Sequence, residues 1–175
     1  VKASNAFLDA LVAGMLDWGV TDFVYVPSSH SAPVIRGLEA AGVRPIMANR
    51  EEEAVGVAGG MRLAGAKVAI VMQDNGFGNA LTALTTFAQA YHVGFPIYAN
   101  TRGGLGEYNS MIQSISEPVP ALLRAIGIRV ETLGVSDPVD VWRLSARAAA
   151  ELSTMQHRPV VTLFEALHPA LEAAL

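Results

Sequence analysis

Lys67-Val68-Ala69-Ile70-Val71-Met72, followed at once by Gln73-Asp74-Asn75-Gly76-Phe77-Gly78-Asn79, is the stretch from which the architecture follows. The apolar run is unbroken, so a strand here must be covered on both faces. Asp74, Asn75 and the glycines then turn the chain into a helix whose spacing carries it to about Tyr91. The same unit recurs outward in both directions. Upstream, Asp22–Pro27 is a buried strand, Ser28–Ser31 a loop and Ala32–Ala41 a helix; Pro45–Ala48 is a strand that leads into a helix at Glu51. Downstream, Pro96–Ala99, Arg129–Leu133 and Pro159–Phe164 are strands, with helices near Val119–Ile126 and Asp137–Met155. A helix capped by Ser4 or Asn5 opens the chain and runs to Trp18, and a short helix closes it. Asn100 to about Glu117 reads as a long polar loop. Alternating strands and helices, with nearly continuous apolar strands, predict an α/β fold: a three-layer, doubly wound sheet of about six mainly parallel strands, helices on both faces. No linker or repeat interrupts the 175 residues, so one domain over residues 1–175 is expected.

Apolar residues make up 51% of the chain, and the mean hydropathy is +0.35. No apolar run reaches the roughly 18 residues of a membrane span. The surplus therefore points to a large core, a partner interface, or both. There is no cysteine, which excludes disulfides and thiolate chemistry and fits a cytoplasmic protein. The net charge is −4 and the basic residues are scattered, which argues against a nucleic-acid face.

Ligands of parallel sheets gather at the carboxyl ends of the strands. Every unusual polar stretch here follows a strand: Ser28–Ser31, Asn49–Glu53, Gln73–Asn79 and Asn100–Gln113. Gln73–Asn79 can offer helix-opening N–H groups to an anion or pack its backbone against a flat ring. It has neither the P-loop spacing with its lysine nor the dinucleotide glycine pattern. Arg102, in a glycine-rich turn, suits a bidentate contact to a carboxylate or sulfonate, or is a plain surface arginine; Gln113 lies a few residues on. His30 suits proton transfer or substrate binding, or is a turn histidine without chemistry. His92, His157 and His168 read as structural. No pair of histidines or carboxylates has metal-ligand spacing, so no metal site is expected within the chain.

Asn49-Arg50-Glu51-Glu52-Glu53-Ala54-Val55-Gly56-Val57-Ala58-Gly59-Gly60 carries the strongest functional signal. Acid is favoured at a helix N-terminus by unpaired N–H groups and the helix dipole, which accounts for one or two of the three glutamates. Gly56, Gly59 and Gly60 fall at i, i+3 and i+4 and are expected to line one face. Each costs about 1 kcal/mol against alanine, which points to a backbone or ligand in close approach. A carboxylate beside such a face is well placed for a raised pKa.

Asn49-Arg50-Glu51, then Ala54 and Ala58-Gly59-Gly60, resembles the pyrimidine-binding domain of thiamine-diphosphate-dependent decarboxylases. There a glutamate stands nine positions before the glycine of an alanine–x–glycine helix segment, and Glu51 and Gly60 have that spacing. The likeness is closer to the alpha subunits of sulfopyruvate decarboxylase, with phosphonopyruvate decarboxylase a near relative. It rests on Arg50-Glu51-Glu52-Glu53, Val71-Met72-Gln73, Gly76-Phe77-Gly78-Asn79, Arg102-Gly103, Gly106-Glu107 and Gln113, and covers nearly the whole chain. The resemblance implies that Glu51 hydrogen-bonds a ring nitrogen of the cofactor's aminopyrimidine and favours its imino form, which deprotonates the thiazolium carbon. It places Asn75, Gly76 and Phe77 near the pyrimidine, with His30, Arg102 and Gln113 the candidates for the substrate side. The cofactor is then the electron sink when a 2-oxo acid loses CO2. Family members bind the diphosphate and Mg2+ through a second domain with a Gly-Asp-Gly segment. This sequence has no Gly-Asp-Gly, so the resemblance implies half an active site, completed by a separate beta chain in a hetero-oligomer. Sulfopyruvate is the implied substrate, giving sulfoacetaldehyde and CO2; phosphonopyruvate or another short anionic 2-oxo acid is the alternative. A noncatalytic subunit with the same fold is the reading from another class.

Overall fold

The structure, a computed structural model, describes residues 5–104 and 107–166. Asn5 caps α1 (Ala6–Trp18): its side-chain oxygen accepts the N–H groups of Phe7 at 3.1 Å and Leu8 at 3.4 Å. The chain then alternates through β1 (Asp22–Tyr25), α2 (Ala32–Ala40), β2 (Arg44–Met47), α3 (Glu51–Leu63) and β3 (Val68–Gln73). A single 3-10 turn, Asp74–Gly76, leads into α4 (Phe77–Ala83), which continues as a π-helical segment over Leu84–Gln89. β4 (Pro96–Thr101), α5 (Ser110–Ser116), α6 (Val119–Ala125), β5 (Arg129–Leu133), α7 (Val139–Gln156) and β6 (Val160–Glu165) follow.

The six strands form one sheet, in the order β2-β1-β3-β4-β6-β5, with every pair parallel. The register runs one row straight across it: Ile46, Val24, Ile70, Ile97, Val161 and Val130. This row faces α3, α4 with its π segment, and α6. The opposite face, with Phe23, Val71, Tyr98 and Phe164, carries α1, α2 and α7. Period-2 alternation puts successive strand residues on opposite faces, so a sheet covered twice needs apolar residues at both, as the sequence pattern requires. Each fully buried Val, Ile or Leu contributes about 1.5–3 kcal/mol. Tyr98 is fully buried, and its hydroxyl donates to the Ala146 carbonyl at 2.7 Å, tying α7 to the sheet.

The expected architecture holds, with local corrections. The stretch read as a polar loop from Asn100 to Glu117 contains the end of β4 and helix α5. Asn109 caps α5 by accepting the Met111 N–H at 3.1 Å. The three glycines of α3 do not share a packed face. Gly59 is buried against Phe87, while a Cβ at Gly56 or Gly60 would meet nothing within 4 Å. At 100° per residue Gly56 and Gly60 lie close together on the helix, and Gly59 lies to one side, across the boundary of the core. His92 and His157 have φ of 56° and 52° in the turns that precede β4 and β6, in line with their structural reading. The closing helix and His168 lie outside the described residues. No helix among the described residues is long and apolar enough to cross a membrane.

Candidate active site

β1 leads leftward to β2, and β3 leads rightward to β4, so the chain diverges where β1 and β3 lie side by side. Such a divergence opens a crevice beyond the carboxyl ends of the two strands. Here it is a cleft of about 250 Å³, walled by Val26–Ser29, Gln73, Asn75 and Glu51.

Glu51 is the first residue of α3, which aims its carboxylate at the cleft from the helix N-terminus. Its Oε2 accepts Asn79 Nδ2–H at 3.0 Å. That leaves Oε1 as the oxygen available to a ligand. The carboxylate lies hard against Gly76: a Cβ there would be 2.3 Å from Glu51 Cγ and 2.4 Å from Oε1. The other two glutamates have different partners. Glu52 pairs with Arg50 at 3.1 Å, and Glu53 turns back to accept the Asn49 N–H at 2.8 Å as a cap. Three adjacent carboxylates thus divide into one at the cleft and two that serve the helix end.

Gln73, the last residue of β3, is the hub of the cleft wall. Its Oε1 accepts from Ser28 Oγ at 3.2 Å and from Arg102 Nη1 at 3.0 Å, and its Nε2 donates to Asn75 Oδ1 at 2.6 Å. Arg102 itself is 6% exposed at the side chain, and its partner Glu107 2%. Arg102 Nε and Nη2 donate to the two Glu107 oxygens at 2.6 and 2.8 Å. The fork of hydrogen bonds from Arg102 holds the Glu107 carboxyl down at about 2. Arg102 therefore meets a carboxylate of its own chain.

Asp74 is 1% exposed and stitches three elements together. It accepts the Arg102 N–H at 2.9 Å and Ser116 Oγ–H at 2.8 Å. Burial pushes its carboxyl up, against these hydrogen bonds. Asp74 and Arg102 line a second cavity, of about 300 Å³, between the carboxyl ends of β4 and β6 and under α6.

The structure brings Glu51, Asn75 and Gly76 together at the cleft. Phe77 adjoins them in sequence, but its ring lies 1% exposed in the core beneath α4. His30 follows the wall residues Ser28 and Ser29; its Nδ1 is 3.3 Å from Ser29 Oγ. Gln113 lies on α5 against Gly103, exposed, and is not among the residues that wall the Glu51 cleft. Sequence reasoning gave no individual role to Gln73, Asn79, Asp74 or Glu107, although all but Asp74 stand in the stretches that carry the family resemblance. The first three sit in the quoted strand–turn–helix stretch, but their partners belong to other elements. Among the described residues, no group of three or more His, Asp or Glu side chains could hold a metal ion.

The fold and this cleft define a doubly wound α/β domain with a ligand crevice at its switch point, and comparison with known proteins identifies the class as thiamine-diphosphate-binding. Residues 6–99 match the family described as thiamine pyrophosphate enzyme, N-terminal TPP binding domain, and the chain belongs to that family. It is 29% identical over 161 residues to the sulfopyruvate decarboxylase subunit alpha of Methanococcus maripaludis, spanning 91% of this chain and 95% of that one. The corresponding subunit of Methanothermobacter thermautotrophicus is 31% identical over 125 residues, spanning 71% and 76%. The phosphonopyruvate decarboxylase of Streptomyces viridochromogenes is 33% identical over 98 residues, 55% of this chain and 25% of that protein. Among solved structures, a 2-oxoglutarate:ferredoxin oxidoreductase from Magnetococcus marinus superposes with a TM-score of 0.68 at 17% identity, over 94% of this chain and 29% of its own; it shows the shared fold.

Proposed function

We propose that this chain is the alpha subunit of a thiamine-diphosphate-dependent decarboxylase that converts sulfopyruvate to sulfoacetaldehyde and CO2. The observation that carries the reading is the Glu51 carboxylate, held at the β1/β3 crevice by Asn79 and by the missing side chain of Gly76. The residues suit an aminopyrimidine: Glu51 Oε1 accepts or shares a proton, and Asn75 beside it offers an amide. A Cβ at position 76 would occupy the space that Glu51 needs. Thiamine diphosphate, when bound, supplies the nucleophilic carbon and the sink for the electron pair left by departing CO2. Glu51 holds the proton at a ring nitrogen through Oε1, and the Ser28 and Gln73 wall orients the ring edge. His30 is placed one residue beyond the wall, where it can serve as a second proton carrier or a substrate contact. Gln113, on α5 beside the Arg102 turn, is assigned to the substrate side of the site.

The partner is a beta chain carrying the diphosphate and Mg2+ ligands, and the two form a hetero-oligomer in the cytoplasm, with this chain as a single pyrimidine-binding domain. Two findings support this arrangement: the subunit naming of the full-length relatives, and the one-quarter coverage of the larger phosphonopyruvate decarboxylase. The identity to that enzyme also favours phosphonopyruvate as the second reading, since a phosphonate and a sulfonate are both tetrahedral anions.

The test is CO2 release from sulfopyruvate by this chain assembled with its beta chain, thiamine diphosphate and Mg2+. E51Q should lose at least about a hundredfold in kcat while still assembling. Retained activity in E51Q would point to a noncatalytic role for this subunit. Turnover of phosphonopyruvate in place of sulfopyruvate would select the second reading.

A further inference from the structure

The geometry points to Arg102 as a positioning residue of this site, not the contact for the substrate's anionic tail: it fixes the direction of the Gln73 amide, so that Asn75 turns its NH2 toward the Glu51 cleft. The inference rests on the decarboxylase reading above.

A guanidinium can only donate hydrogen bonds. Arg102 spends Nε and Nη2 on Glu107 and directs Nη1 to Gln73 Oε1 at 3.0 Å. Glu107 also accepts the N–H groups of Gly103 at 3.3 Å and Asn109 at 2.8 Å. Asp74 holds the Arg102 backbone at 2.9 Å. Turning Arg102 toward a ligand would leave a buried carboxylate without its counter-charge, an expensive state.

The consequence passes along the wall. An amide can be fitted either way round, and its neighbours decide which. The Gln73 NH2 cannot face a guanidinium, so its oxygen must, and that oxygen also takes the Ser28 hydroxyl at 3.2 Å. Its NH2 is thereby sent to Asn75 Oδ1, at 2.6 Å. With the Asn75 oxygen occupied, its own NH2 is the group left for the cleft, which Glu51 also lines. A donor and an acceptor on the walls of one cleft match a nitrogen heterocycle that carries both. The ion pair sets this polarity although neither of its members lines the Glu51 cleft.

The test uses the assembled enzyme with its beta chain and Mg2+. It reads the thiamine diphosphate Kd, kcat, and inhibition by sulfopropionate, which has the sulfonate tail but no keto group. In E107Q, positioning predicts a cofactor Kd raised about tenfold and a kcat lowered about a hundredfold, with the sulfopropionate Ki within about twofold of wild type. An anion-contact role predicts the reverse: Arg102 loses its competitor, sulfopropionate binds more tightly, and the cofactor Kd stays put. That result overturns the proposal. Q73E keeps the side-chain shape and the Arg102 contact but presents oxygen to Asn75, which must turn its NH2 away from the cleft. Its cofactor Kd should also rise about tenfold, and a wild-type Kd in Q73E overturns the proposal even if E107Q fails to assemble. A wild-type complex that binds cofactor yet releases no CO2 from sulfopyruvate sinks the substrate reading instead, and the Q73E Kd still decides the role of the relay.

Discussion

Gly76 has φ −64° and ψ −17°, ordinary right-handed values, so its backbone makes no demand for glycine. The demand comes from Glu51, whose carboxyl group fills the space of a Cβ. G76A should therefore leave the 3-10 turn intact and push the Glu51 side chain off the cleft. The expected outcome is a melting temperature within a few degrees of wild type and a kcat lowered at least about a hundredfold, measured on the assembled enzyme. Glu107 supports a second prediction, with a definite sign. Its folded pKa of about 2 lies below the ordinary glutamate value of 4.5, so its contribution is fully present above about 4.5 and is lost as the pH falls toward 2. Asp74, shifted upward by burial, works in the opposite sense: its contribution is present at low pH and is lost as the pH rises through its folded pKa. E107Q should accordingly lower stability at neutral pH and flatten the acid limb between about pH 4.5 and 2, read from urea unfolding at a series of pH values.

Helix α3 carries three glycines with different reasons for being glycine. A Cβ on Gly59 would stand 2.2 Å from Phe87 Cε1, so G59A forces a ring in the π-helical segment to move, at a cost of about 1–3 kcal/mol. Gly56 and Gly60 face open space, so G56A and G60A should each stabilise the isolated chain by about 1 kcal/mol through helix propensity alone. Opposite signs within one helix, read from denaturant midpoints, check this assignment. Helix α5 is held at both ends by side chains, Asn109 at its cap and Ser116 on Asp74. D74N replaces one of the two accepting oxygens with an NH2, so either the Arg102 N–H or the Ser116 hydroxyl loses its acceptor, and should cost about 1–3 kcal/mol. Amide exchange should show that loss concentrated in α5, with β3 unaffected.

Across the sheet, one covered face carries α3 and α4 and the other carries α1, α2 and α7, and the two are joined by strands that are apolar on both sides. The cleft lies at the divergence of β1 and β3, and every wall residue comes from a strand end, a loop or a helix start at the carboxyl edge. Its residues leave the ends of paired strands, and on the proposed reading the beta chain walls the other side of the cofactor. Gly56 and Gly60 of α3 face open space, and Tyr108 and Met111, at 83% and 82%, are exposed apolar side chains on the surface of the domain.

The alternation of strand and helix, the parallel sheet and the cap at Asn5 were legible in the order of residues, because each depends on neighbours within a few positions. Glu51 stood out through its place in a motif, and the structure puts it on the wall of the cleft. The hidden parts are those whose partners are distant. Nothing local in Asn109-Ser110-Met111 outweighed the polar composition around it, so α5 read as loop. Nothing in Gly56-Val57-Ala58-Gly59-Gly60 says which glycine faces a ring, because that depends on where the π-helical segment lies. Arg102 read as either an anion contact or a plain surface arginine because only its formal charge is visible in the chain, whereas its neutralisation by Glu107 and its hold on Gln73 depend on how the turn closes over the end of β3. Periodicity is a short-range property and writes the elements. Burial, charge pairing and the direction of an amide are set by contacts between elements, and these exist only once the sheet has assembled.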